Sequence, residues 1–156
     1  MNAYERLEHK ACRDGIDVIE YNFENKTIKG LYCDGTAAIR KDLKTSAEKT
    51  CVLAEELGHH YTSVGNILDQ SDPNNRKQEI LARTWAYDGL IGLSRIIDAY
   101  KYGCQNRYEI AEYLEVTEEF LQDCINRYQA KYGICKKVGN YIIYFEPALM
   151  VGKITD

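Results

Sequence analysis

Proline is nearly missing from this chain, two in 156 residues, and no stretch reads as a long disordered tail. Long apolar runs are absent too. None approaches the roughly 20 residues that span a bilayer, so no helical membrane anchor is expected. The N-terminal stretch Met1-Asn2-Ala3-Tyr4-Glu5-Arg6 lacks the basic-then-apolar order of a secretion signal, which makes the cytoplasm the expected compartment. Six cysteines are present, at 12, 33, 51, 104, 124 and 135, and none stands in a C-x-x-C pair. That spacing argues against a zinc ribbon or a thioredoxin site. The six are read as free thiols, mostly buried as small hydrophobes. Excess positive charge is also lacking. The formal net charge is −4, and no stretch supplies the concentrated basic face that phosphate binding needs. Direct nucleic-acid binding is therefore not expected. What remains is an ordinary soluble composition, 45% hydrophobic and 28% charged, long enough for one domain with a genuine core.

The order of elements predicts an α+β fold. Residues 3–14 read as a helix ended by Gly15. Strands follow at Val18–Asn22, Thr27–Cys33 and Thr36–Arg40, with Asn25-Lys26 and the strong hairpin signal Asp34-Gly35 between them, a small antiparallel meander. Thr45-x-x-Glu48 has the form of a capping box and opens a helix to about Tyr61. A polar stretch, 63–75, precedes a second helix over roughly Arg76–Ile91. A third covers Gly92 to Tyr102, and a helix pair split at Val116-Thr117 fills 106–132. Val138–Phe145 resembles one edge strand with Gly139-Asn140 as a turn inside it. The whole chain, 1–156, is read as a single domain: a core over 1–92, then a helical extension over 93–156 with a C-terminal strand.

The chemistry concentrates in Cys51-Val52-Leu53-Ala54-Glu55-Glu56-Leu57-Gly58-His59-His60. On a helix, residues four apart project side by side, so Glu55 and His59 share a face. Carboxylate oxygen and imidazole nitrogen are both competent zinc ligands. Glu56 lies about 100° round from Glu55, placed to face a reacting water without being a ligand. This is the spacing of the H-E-x-x-H zinc-peptidase helix with Glu in place of the first His. A third ligand is required, since catalytic zinc keeps three protein donors and one open position. Glu79 is the leading candidate, at the start of the next helix. Spacing alone leaves open the plain alternative of a solvated helix face. His60 points about 100° away from His59 and ranks below Glu55 as a donor.

Together these segments resemble the ImmA/IrrE family of metallo-endopeptidase-like proteins. Members carry an active-site helix of the form x-x-L-A-H-E-L-G-H, and here Val52-Leu53-Ala54-Glu55-Glu56-Leu57-Gly58-His59 is similar to it. A second helix of the form E-x-x-A-x-x-F-A is matched by Glu79-x-x-Ala82-x-x-Trp85-Ala86. The likeness covers roughly residues 5–130. It implies a zincin-like metallopeptidase core, a small antiparallel sheet plus active-site helices, followed by a helical part. It also implies zinc held by positions 55, 59 and 79, with Glu56 as general base. The departure is at position 55. A carboxylate there makes the site about one unit less positive, and harder donors shift preference toward metals such as manganese. The substrate implied is a helix-turn-helix repressor of a phage or mobile element. The alternative implied by Glu55 is a catalytically weakened regulator that binds the repressor without cleaving it.

Residues 109–121 imitate a helix-turn-helix, but the exposed start of its second helix carries Glu118, Glu119 and Asp123, which oppose phosphate approach. Asp69, Asp72, Asn74 and Asn75 lack the order of a calcium-binding loop and are read as a loop near the cleft.

Overall fold

The computed structural model describes residues 1–62 and 73–155, with side chains from 76 onward in the second stretch. The loop residues Asp69, Asp72, Asn74 and Asn75 discussed above lie outside the described side chains. The chain forms α1 (Ala3–Arg13), β1 (Asp17–Tyr21), β2 (Gly30–Cys33), β3 (Thr36–Arg40), α2 (Ser46–Thr62), α3 (Pro73–Leu90), α4 (Gly92–Tyr102), α5 (Arg107–Leu114), α6 (Glu118–Tyr132), β4 (Cys135–Val138), β5 (Tyr141–Tyr144) and β6 (Met150–Lys153). The architecture is α+β, as the element order predicts. No described helix is long and apolar enough to cross a membrane. The chain divides into two compact units, Met1–Ala86 and Tyr87–Asp156.

In the first unit, α1 starts at a complete capping box. Asn2 accepts from the Glu5 amide while the Glu5 carboxylate accepts from Asn2 N–H. Asp34 and Gly35 adopt φ of 49° and 82°, the paired positive angles of a type I′ turn, and they close the β2–β3 hairpin. The expected meander is corrected. The strand order is β1-β3-β2, with β1 parallel to β3 and β2 antiparallel to it. Residues 22–29 are a wide connection, not a tight turn. The Arg40 guanidinium gathers it, donating to the carbonyls of Ile28 at 2.9 Å and Asn25 at 2.5 Å. With β2 on one edge of β3, β1 takes the other. Its Val18 then pairs with Ala37 and faces the core.

That core comprises Ala11, Ile16, Ala37, Ile39, Leu43, Val52, Leu53 and Leu57, with Tyr4, Tyr32, Tyr61 and Trp85 packed at its margin. Leu53 and Leu57 are wholly buried, each contributing about 1.5–3 kcal/mol. Helix α2 is capped by Thr45, which accepts from the Glu48 amide at 3.1 Å. It is buried on nearly every side from Thr50 to His59, which makes it the central element of this unit.

In the second unit, Asn106 caps α5 and Thr117 caps α6. Glu115, at a left-handed φ of 61°, turns the chain between them. Ile91, Ile96, Leu114, Leu121, Cys124 and Ile143 are fully buried in this unit, and the Tyr128 hydroxyl donates to Asp88 at 2.7 Å. The single C-terminal strand expected from sequence is corrected to three. β4, β5 and β6 form an antiparallel sheet in that order, because Gly139 takes a positive φ of 59° and folds the segment back into a hairpin. The cysteines also differ from expectation. None of the six forms a disulfide, but only Cys51 and Cys124 are buried; Cys104 is half-buried and Cys12, Cys33 and Cys135 are exposed. Those three sit on element faces turned outward, where a small apolar side chain contributes little to packing.

Candidate functional site

Two ionisable side chains, Glu56 and His59, are buried on α2, at 9% and 5% exposure. Burying a charge costs several kcal/mol unless it is paired, so each calls for a partner. His59 finds one on α3: its Nε2 stands 3.2 Å from Glu79 Oε1. The contact depends on close helix packing. Gly58 lies directly against α3, where a Cβ would meet the Ala82 carbonyl oxygen at 2.3 Å. Only a residue without a side chain permits that approach. Ala82 sits three residues after Glu79, so pressing Gly58 onto it brings Glu79 level with His59.

Glu56 turns toward β2 instead. Its carboxylate lies near the Tyr32 amide. Gly30 lies so close that a Cβ there would sit 2.7 Å from Glu56 Oε2. Burial pushes the Glu56 pKa up to about 8; the neighbouring charges of Glu55 and Glu79 add to this, while His59 and the Tyr32 amide oppose it. For His59, burial acts downward, but the hydrogen bond and charge of Glu79, with Glu56 and Glu55 behind them, leave the pKa raised. Neither is the behaviour of a solvated helix face. A cluster of mutually perturbed groups is typical of functional sites.

Each residue singled out from the sequence can now be placed. His59 and Glu79 are in contact. Glu56 lies beside them on the adjoining face of α2, near enough to feel both charges. Glu55 is one turn before His59 on α2 and half-buried. His60 goes elsewhere: its Nδ1 is 2.6 Å from the Tyr32 hydroxyl, and its ring meets Tyr61 edge-on at 5.0 Å. Gly30, Gly58 and Tyr32 shape the site but carry no ligand chemistry that spacing could have flagged. Gly58 did stand inside the motif, and a glycine in mid-helix is a sign of close packing.

The donor set can be tested against zinc. Two ligands on one tetrahedral zinc stand about 3.4 Å apart, given bonds of about 2.1 Å. The His59–Glu79 separation of 3.2 Å matches that spacing. The match stops at two donors: among the described residues, no group of three or more His, Cys, Asp or Glu side chains is gathered as an ion would need. The residues thus provide a donor pair beside a buried carboxyl group, with Glu55 one turn before His59 on α2.

No curated protein matches the chain. The family model described as the IrrE N-terminal-like domain does, over residues 11–126. That match spans α2 and α3 with the paired motif on them, and it makes the chain a member of the ImmA/IrrE metallopeptidase family, with a zincin-like fold.

Proposed function

We propose that the chain is a metal-dependent endopeptidase that acts on a helix-turn-helix repressor of a phage or mobile element. The observation carrying this reading is the His59–Glu79 pair across α2 and α3, at ligand spacing, with buried Glu56 on the adjoining face. In this reading Glu55, His59 and Glu79 hold the ion. Zinc held there would polarise the scissile carbonyl, acidify water and draw the Glu56 pKa back down. Glu56 carries the proton. A carboxylate oxygen of Glu56 takes a proton from the attacking water. Glu56 then returns that proton to the leaving amine nitrogen. With one imidazole and two carboxylates, the site suits harder ions such as manganese as well as zinc.

The test is to load the purified protein with zinc or manganese and incubate it with the repressor encoded beside its gene. Wild type should cleave, and Glu56→Gln should be slower by about 100-fold or more. Equal cleavage by both removes Glu56 from the mechanism.

A second reading has its own support: His59 and Glu79 engage each other, no third donor joins them among the described residues, and Glu stands at 55. The protein then binds the repressor without cutting it. This version expects less than one equivalent of metal by elemental analysis, and repressor binding that survives Glu56→Gln.

A further inference from the structure

Glu56 and His60 are four residues apart on α2, hence one turn apart on one face. Both meet β2. Glu56 Oε2 lies against Gly30, with the Tyr32 amide nearby, and the Tyr32 hydroxyl engages His60 Nδ1 at 2.6 Å. That hydroxyl is itself held by the Gly35 N–H at 3.0 Å, at the turn of the β2–β3 hairpin. A phenol has one proton to donate and lone pairs to accept with. Gly35 takes an acceptor site and leaves the rest of the hydroxyl to the imidazole. The His60 ring is steadied on both sides, edge-on to Tyr32 at 5.4 Å and to Tyr61 at 5.0 Å. Beneath this contact, Gly30 lets β2 lie directly against Glu56.

We propose that Tyr32 and His60 are positioning residues, forming with Glu56 a two-point clamp that fixes β2 against α2 and so sets the direction of the Glu56 carboxyl. The clamp rests on the proposed function only for its catalytic consequence; its geometry stands apart from it. β2 is an edge strand, with no outer strand beside it among the described residues. Without the His60 contact, this stretch of β2 is held against α2 by its packing on Glu56. A carboxyl that must meet a reacting water is sensitive to such displacement, because small misplacements cost large factors in rate.

The experiment uses two readouts. The first is hydrogen exchange at the residue 32 amide in metal-free protein, with the Leu53 amide of the core as the control for folding. Tyr32→Phe and His60→Phe should each speed exchange at residue 32 by roughly tenfold and leave Leu53 unchanged. His60→Asn, whose amide can stand where Nδ1 stood, should restore slow exchange. The second readout is the kinetics of metal-loaded protein on whichever member of a peptide library wild type cuts fastest. Tyr32→Phe and His60→Phe should lower kcat roughly tenfold at nearly unchanged KM, with His60→Asn recovering most of it. Unchanged exchange at residue 32 overturns the clamp. Faster exchange with unchanged kcat overturns its positioning role and leaves a structural contact only. Undiminished cleavage by Glu56→Gln, or no cleavage by wild type, defeats the proposed function instead, and the exchange readout still decides the clamp.

Discussion

At the scale of single residues, burial and charge conflict at Glu56, and the conflict has a sign. The folded pKa is about 8 against an ordinary value of 4.5, so the folded protein binds this proton more tightly than the unfolded chain does. The resulting stability is fully present below about pH 4.5 and is lost as pH rises through 8. His59 acts in the same direction. Its raised pKa gives stability that is present below the ordinary imidazole value and lost as pH climbs past the folded one. Metal-free wild type is therefore expected to lose stability between about pH 5 and 8, by on the order of a few kcal/mol. Glu56→Gln should flatten most of that slope in urea titrations. A slope the same in both proteins would show that Glu56 is not the buried acid described. Glu79→Gln removes the main support of the raised His59 pKa. Imidazole resonances of the metal-free variant should titrate at lower pH than in wild type, and an unmoved midpoint would contradict the contact.

Among elements, the approach of α2 to α3 decides whether a site exists. The Ala82 carbonyl is backbone and cannot swing away from a Cβ placed 2.3 Å from it. Gly58→Ala should therefore push the helices apart, costing about 1–3 kcal/mol and weakening zinc binding measured by competition with a chromogenic chelator. Unaltered affinity would mean that Glu79 reaches His59 without that close approach. Thr117→Ala removes the cap at the start of α6 and should cost about 1 kcal/mol in the midpoint of chemical unfolding, without altering zinc affinity. Helix ends were readable because caps and glycines are local signals. Thr45, Thr117 and Asp34-Gly35 all mark boundaries found in the fold. Strand order was not readable, because β1 could pair on either side of the hairpin, and its neighbour is decided by which face of Val18 the core covers.

For the whole molecule, the sharpest expectation concerns metal linkage. An ion that binds only the folded chain stabilises it by about 2.7 kcal/mol at a free concentration 100 times Kd. For a chain of this size that is roughly 5–10 °C in Tm. Zinc should raise the Tm of wild type by about that amount, chelator should reverse it, and His59→Ala should abolish it. Binding should tighten as pH rises from 6 to 8, since a ligating His59 must give up its proton. The opposite trend with pH would exclude His59 as a ligand. A Tm shift that persists in His59→Ala would place the ion elsewhere.

The sequence by itself determined the α+β class, most helix boundaries and the family, because periodicity, caps and the paired motif on two helices are written in neighbouring residues. It also marked out Glu55, Glu56, His59 and Glu79 as the groups to watch. Only the tertiary structure decided which of them meet. His59 touches Glu79 because Gly58 lets two helices close on each other, and Glu56 lies against the backbone of β2, a strand more than twenty residues earlier in the chain. Spacing along a helix fixes direction, but the distance to a group on another element depends on how side chains fill the space between them.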